Sequence, residues 1–283
     1  MADSKVYILY PNDKVSHKYK NDISKFDVPN SENPPEYSAL GMTKDFIKTG
    51  EKILPNLTIS SKNLRIYHYI NKNTNQMIND FSINDFQEIQ PFLEDLNKKY
   101  NFPELKEDEA IQFAERLAIF NLLFSYHRNL ALICDSSAKD LKKELFIEDI
   151  MKPRIKNLNE IGNMLFESPI QVDEDELLKC ENKKEIKSYL LSYHNDLLKA
   201  VNEFTHTIGY SISSYIDIKR KVTCPITNEI FHLIWYIFIS YVICTVKPSK
   251  IGFCIYCGRV TKYSTKSRNK CDKCTNKGRK NKK

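Results

Sequence analysis

Apolar residues recur every three or four positions between residues 104 and 133, the spacing of one face of an α-helix. The stripe consists of Ala110, Phe113, Ala114, Leu117, Asn121 and Phe124. Asn121 is its one polar member. The pattern predicts a long helix from about Glu104 to Ile133.

The same periodicity continues through most of the chain after this helix. Further helices are predicted over residues 138–151, 153–167, 174–217 with one break, and 226–246. The first 80 residues differ, because short strand-like runs alternate there with loops that contain Asn and Pro. These runs are residues 6–10, 53–60 and 64–70. We therefore expect a mainly-α protein, a helical bundle with a small β-containing N-terminal segment.

One segment, Ile230–Val246, has 17 residues without a formal charge. That length is at the lower limit for a membrane-spanning helix, and His232, Ser240 and Thr245 make the segment less apolar than a typical span. A helix that is apolar on all sides also fits the centre of a bundle. We favour a buried helix that forms the spine of the protein, and a membrane span is the alternative.

Charge is distributed unevenly along the 283 residues, whose net charge is +7. Residues 247–283 carry 13 Lys and Arg against one acidic residue, Asp272. The preceding residues hold 30 basic and 35 acidic groups. A mildly acidic body therefore carries a strongly basic C-terminal segment.

The eight cysteines fall into two groups. Four are scattered through apolar or helical contexts, where a free thiol acts as a small buried hydrophobe. These are Cys134, Cys180, Cys224 and Cys244. The first residues lack the long apolar stretch of a signal peptide, so we expect a reducing cytoplasm. In that compartment a Cys-x-x-Cys pair is more often a metal site than a disulfide.

The other four cysteines form two such pairs, Cys254–Cys257 and Cys271–Cys274, with 13 residues between them. Each pair can direct two sulfurs at one point, and a short hairpin can bring the pairs together. Four thiolates make a closed tetrahedral shell that leaves no position for a substrate water, so the expected ion is a structural Zn²⁺. Iron and unliganded thiols are the alternatives. The segment is too polar to fold alone, so metal binding and ordering should be coupled.

Basic and aromatic residues surround these pairs and are our candidates for contact with a nucleic acid. They are Arg259, Lys262, Tyr263, Lys266, Arg268, Lys270, Lys273, Lys277, Arg279 and Lys280. A small rigid module with this much positive charge attracts phosphate backbones, and tyrosine can stack on bases. A solvated tail, or one that docks on the acidic body, is the alternative.

Most catalytic signatures are missing. The seven glycines are too dispersed for a dinucleotide-binding, Walker A or Gly-x-Ser-x-Gly motif, and no His-Glu-x-x-His occurs. Asp95, Glu104 and Lys106 loosely resemble a nuclease triad, but they lie around a predicted helix boundary and not on strands. The acidic run 173–176 is best explained as a helix N-terminus, with Asp173 and Glu176 in a capping-box arrangement. The alternatives are a metal site, a mimic of nucleic acid and an internal partner for the basic tail.

The stretches CIYCGRV and SRNKCDKCTNKGRK resemble C-terminal zinc fingers of the CGNR type. Proteins of that type are bacterial, carry a helical N-terminal domain and are associated with stress-linked transcription regulation. The resemblance implies that the four paired cysteines are the zinc ligands. It is confined to residues 254–280, and the name-giving motif reads Cys274-Thr275-Asn276-Lys277 in this chain.

The sequence thus predicts three regions: residues 1–80 of mixed structure, a helical body over 81–247, and a Cys₄ zinc ribbon with a basic tail over 248–283. We expect a cytoplasmic bacterial protein whose ribbon binds DNA or RNA and whose body senses or recruits a partner. This hypothesis favours a non-enzymatic protein. The alternatives are an adaptor whose ribbon staples a homodimer or clamps an acidic protein, and an effector nuclease or toxin, for example in phage defence.

Overall fold

The computed structural model of the protein describes a set of separate stretches of the chain. These are residues 5–7, 36–53, 83–100, 105–136, 140, 144–166, 171–217, 222–226, 230–244, 251–262 and 270–274. The helices are α1 (Ala39–Ile53), α2 (Ile83–Tyr100), α3 (Glu107–Cys134), α4 (Glu144–Phe146), α5 (Lys152–Leu165), α6 (Glu174–Leu178), α7 (Lys183–Tyr189), α8 (Leu191–Thr207) and α9 (Ile230–Ile237). Two π-helical segments, Ile147–Met151 and Phe238–Ile243, precede α5 and follow α9.

The strands are short and pair two by two. They are β1 (Lys5–Tyr7), β2 (Glu36–Ser38), β3 (Ser213–Asp217), β4 (Val222–Ile226), β5 (Ile251–Phe253) and β6 (Val260–Lys262). Within the described stretches β1 pairs with β2, β3 with β4, and β5 with β6, in three antiparallel two-stranded sheets. The fold is mainly α, as the sequence predicts.

The long helix predicted over residues 104–133 is confirmed as α3. It begins at Glu107, where the Glu109 carboxylate accepts a hydrogen bond of 2.9 Å from the backbone N–H of Lys106. The acidic residues of this first turn also lie at the positive end of the helix dipole. The start of α3 therefore follows from local chemistry, and its length follows from its apolar stripe.

The prediction of helix up to residue 217 is wrong at its end. Helix α8 ends at Thr207, and Gly209 follows with a φ of +58°, a left-handed conformation that glycine adopts without strain. The N–H groups of Gly209 and Tyr210 bond to the carbonyls of His206 and Thr205 in the pattern of a Schellman cap. The residues beyond form β3, which pairs with β4 in an antiparallel hairpin.

Helix α1 lies inside the N-terminal region that the sequence predicts to be mixed. The side-chain oxygen of Ser38 accepts a hydrogen bond of 2.9 Å from the Gly41 N–H at the start of α1. The strand-like run 6–10 overlaps β1, whereas the runs 54–60 and 64–70 lie outside the described residues. Ile53, predicted to begin a strand, ends α1.

The centre of the protein is α3, and not the segment 230–246. Helix α3 contacts α1, α2, α5, α7, α8, α9 and β5. Most described residues of the uncharged segment are buried as predicted, and Trp235 and Val242 are fully inaccessible, but the segment lies beside α3. Within the described stretches α3 is long and apolar enough to cross a bilayer, yet 72% of its most apolar window is buried inside the protein.

An aromatic cluster joins α3 to its neighbours. The Trp235 ring lies 5.0 Å from the Phe204 ring of α8 and 5.2 Å from Phe238, and Phe238 lies 5.3 Å from Phe120 of α3. The Trp235 indole N–H donates a hydrogen bond of 2.8 Å to the hydroxyl of Thr205. Each ring pair stabilises the contact between these helices beyond the contribution of the apolar area that it buries.

The strand β5 extends this cluster into the C-terminal segment. The Phe253 ring packs edge-on against Phe124 of α3 at 5.5 Å and lies 5.9 Å from the ring of His127. Ile251 and Ile255, on either side of it, are also buried in the same core. Residues of the predicted ribbon are therefore part of the main hydrophobic core.

A close approach between α1 and α3 explains the polar member of the α3 stripe. Asn121 is buried and donates a hydrogen bond of 2.8 Å to the Leu117 carbonyl. A Cβ added at Gly50 of α1 would lie 1.6 Å from Asn121 Nδ2. The two helices can approach this closely only because residue 50 has no side chain.

We expect the substitution Gly50→Ala to lower the free energy of unfolding by about 3 kcal/mol, because the new methyl group overlaps the buried Asn121. Gly41→Ala is the matched control on the same helix, since its added Cβ would lie at an ordinary contact distance of 3.4 Å from Ser38. Urea unfolding followed by circular dichroism measures both. Equal stability of the two variants would contradict this account of the α1–α3 contact.

Candidate metal centre

A short hairpin positions the first cysteine pair. Strands β5 and β6 pair with Phe253 opposite Val260, and the turn between them begins at Cys254. The Cys254 N–H bonds to the Arg259 carbonyl, and the Gly258 N–H bonds to the Cys254 carbonyl, both at 2.8 Å. Gly258 has a φ of +67°, so glycine follows the second cysteine for a conformational reason.

The second pair lies at a helical turn: Cys271 directly precedes it, and Cys274 lies in it. The four sulfur atoms all lie within 4.8 Å of one another; they belong to Cys254, Cys257, Cys271 and Cys274. The Cys257 and Cys271 sulfurs are 3.5 Å apart. Tetrahedral Zn²⁺ with bonds of about 2.3 Å requires sulfur separations of about 3.8 Å. The four residues therefore fit one metal ion of this kind.

The electrostatics of the cluster also favour a cation. Burial opposes ionisation of Cys254, but backbone N–H groups of Cys271, Cys257 and Tyr256 donate to its sulfur and lower its pKa to about 6. Burial, with the adjacent thiols, raises the pKa of Cys274 to about 12. Four sulfurs at this distance cannot all be thiolates without a positive charge between them.

Arg154 of α5 supports the first pair from inside the protein. Its Nη2 donates a hydrogen bond to the carbonyl of Ile255, which lies in the turn between Cys254 and Cys257. Its Nη1 is buried and has no hydrogen-bond partner among the described residues. Burial lowers the pKa of Arg154 to about 10, and the two nearby cysteines oppose that shift. A guanidinium here would offset the net negative charge of a metal ion held by four thiolates.

Sequence reasoning missed Arg154, although a signal for it exists. Arg154 begins a stripe at helical spacing that continues through Leu158, Ile161 and Leu165, all of them buried. An arginine in an otherwise apolar stripe faces the core and needs a polar partner there. The stripe alone could not identify that partner, the Ile255 carbonyl, because Ile255 lies about a hundred residues further along the chain.

Cys134, Cys180 and Cys244 take no part in the cluster, which is the one group of its kind among the described residues. Cys134 is buried, with its sulfur 3.5 Å from His194 Nε2, and burial raises its pKa to about 11. It is therefore a structural thiol and not an activated nucleophile. Cys180 is half-buried, and Cys244 is exposed, contrary to its expected burial. The side chain of Cys224 lies outside the described residues.

The predicted nucleic-acid contacts are described in part. Arg259, Lys270 and Lys273 are exposed around the cysteine cluster. The Lys270 ammonium lies 5.0 Å from the ring centroid of Tyr256, in a cation–π contact. Lys262 is the last residue of β6. The candidates outside the described residues are Tyr263, Lys266, Arg268, Lys277, Arg279 and Lys280.

The acidic run 173–176 begins α6, as the sequence predicts. The Asp173 side chain accepts a hydrogen bond of 3.1 Å from the Glu176 N–H. Glu174 and Glu176 form ion pairs with Lys152 and Lys179, two lysines of the body. Capping and local ion pairs account for these carboxylates, so they need no metal.

The chain matches no family model, and neither a curated protein nor a solved structure matches it. The resemblance to CGNR-type fingers is therefore supported only by the convergence of the four cysteines.

We expect the purified protein to contain one equivalent of a tetrahedral metal ion and Cys271→Ser to lose it, because three thiolates bind far more weakly than four. Cys244→Ser, which removes an exposed thiol outside the cluster, is the matched control. Elemental analysis measures the metal and circular dichroism the fold. Helices should persist in Cys271→Ser, but the free energy of unfolding should fall by about 4 kcal/mol as buried residues of the ribbon loosen. Full metal retention in Cys271→Ser would contradict this assignment.

Proposed function

We propose that the protein binds nucleic acid through a structural zinc ribbon docked on a helical body. The observation that supports this proposal most directly is the arrangement around the Cys₄ cluster. Three exposed cations, Arg259, Lys270 and Lys273, lie on the two turns that carry the candidate metal ligands. A metal-held scaffold that presents cations in a fixed geometry suits the phosphate backbone.

The closed set of four ligands favours a structural role for the metal at this site and not a catalytic one. Four cysteine ligands fill the tetrahedral shell of Zn²⁺ and leave no coordination position for a water or substrate. No cluster of carboxylates or histidines that could hold a second metal is found in the described part of the chain. We therefore propose a regulator-like protein, with Zn²⁺ as a structural cofactor.

The cellular context is part of the proposal. The free thiols of Cys134, Cys180 and Cys244, outside the cluster, are compatible with a reducing compartment, and a ribbon with reduced thiols requires one. We propose a cytoplasmic bacterial protein whose helical body communicates with a partner or ligand. DNA and RNA both remain candidate targets, because backbone contacts are made without base readout.

We expect binding to both duplex and single-stranded oligonucleotides at low salt, with an affinity that falls steeply as salt rises. The triple variant Arg259→Ala/Lys270→Ala/Lys273→Ala should weaken binding and reduce the slope of log K against log[salt] by about 2. The matched control, Lys156→Ala/Lys184→Ala/Lys199→Ala, removes the same charge from exposed positions on the body. Fluorescence polarisation in a salt series measures both.

Absence of binding at low salt, or equal binding by the two triple variants, would contradict the proposed function. A protein that forms dimers and binds no nucleic acid would favour the adaptor alternative, and light scattering measures its oligomeric state. Degradation of the oligonucleotides by metal-supplemented protein would instead favour the nuclease alternative.

A further inference from the structure

A cleft lies between the candidate ribbon and the helical body. Its volume is about 720 Å³, within the range of small-ligand sites of roughly 300–1,000 Å³. One wall is α1, the other is formed by residues 257–260 and 271–273 of the ribbon, and α3 contributes Arg128. The cleft thus exists only where the ribbon meets the body.

Most charged groups that line the cleft are positive. Lys44 and Lys48 come from α1, and Arg259 and Lys273 come from the ribbon. With Arg128 they make five cations, against the two carboxylates Glu51 and Asp272. These cations come from α1, α3 and the ribbon, and the fold brings them to one cleft, whereas charges of one sign on an ordinary surface are spread apart. The balance favours an anionic ligand.

Arg128 is the least exposed of these cations, so its surroundings say most about the ligand that the cleft would bind. Burial lowers its pKa, and the charge of Glu51 opposes that shift. A Cβ placed on Gly258 would lie 3.9 Å from Arg128 Cδ, so the arginine stem runs directly behind the metal-binding turn. The structure gives the guanidinium no hydrogen bond or ion pair to any described residue. A partly desolvated guanidinium gains most from an anion that accepts several of its donors.

We propose that this cleft binds a phosphate group, with its nucleotide, of a single-stranded nucleic acid. The inference rests on the proposed function and deepens it by naming the strand form and the contacts on the body. A single strand can lower one phosphate and its base into a cleft of this size, whereas a duplex presents its phosphates on a convex surface. Arg128 offers a planar fork that suits phosphate oxygens, and the lysines add point charges.

The test is the double variant Lys44→Gln/Lys48→Gln, because both lysines are exposed on α1 and lie outside the ribbon. The matched control is Lys98→Gln/Lys199→Gln, which removes the same charge from exposed helical positions away from the cleft. Binding of a labelled oligo(dT) to metal-loaded protein is followed by fluorescence polarisation. We expect about a tenfold loss of affinity for Lys44→Gln/Lys48→Gln and a salt slope smaller by about 1.4, with little change in the control.

The outcomes separate the inference from the function on which it rests. If wild-type protein binds oligo(dT) and the two double variants bind equally well, the cleft proposal is overturned while the proposed function stands. If wild-type protein binds no nucleic acid at low salt, both fail. Circular dichroism and metal content of each variant verify the fold.

Two further arms define the ligand. The lysine substitutions should weaken oligo(dT) binding more than binding of a duplex of equal length, and an equal loss would overturn the assignment to single strands. A free 5′-mononucleotide should compete only at concentrations far above those of the oligomer, because it lacks the neighbouring phosphates. Competition at equal concentration would overturn the polymer as the ligand and identify a free nucleotide instead.

Discussion

Burial of the strand Ile251–Phe253 against α3 is the contact on which the rest of the C-terminal structure depends. It inserts Phe253 beside Phe124, so that the metal-binding turn begins at the surface of the aromatic core. From there the Ile255 carbonyl reaches Arg154, and Gly258 backs onto α3. Without this burial the cysteines could still gather around a metal, but the ribbon would have no fixed place on the body.

A metal held by the four cysteines and the hydrophobic core would support one another. Zn²⁺ would hold the polar turn in shape, because a hairpin of three-residue strands is too short to be stable alone. The core would hold the hairpin in place, because it buries the apolar residues on either side of Cys254. Since the cleft has walls from both parts, the proposed binding would require the structural metal, although the metal would take no part in chemistry.

Local signals of the sequence predicted α3, the cap at Asp173 and the four cysteines that converge, because periodicity and Cys-x-x-Cys spacing are encoded in nearby residues. Docking of the ribbon was not predictable in this way. The run Ile251–Phe253 is too short to show a pattern, and its partner Phe124 is more than a hundred residues away. Strand β3 was missed because it begins soon after a helix, at Ser213, and Arg128 was missed because its place beside the ribbon depends on the fold.

The central claim is that a metal-held ribbon, fixed on the helical body, binds nucleic acid. Its most direct test is the affinity for a single-stranded oligonucleotide before metal extraction, after it, and after return of one equivalent of Zn²⁺. Because the lysines and arginines keep their charge without metal, the account predicts a loss of at least about tenfold on extraction and full recovery with Zn²⁺. An unchanged affinity and salt slope in metal-free protein would show that a charged tail suffices and would contradict the account.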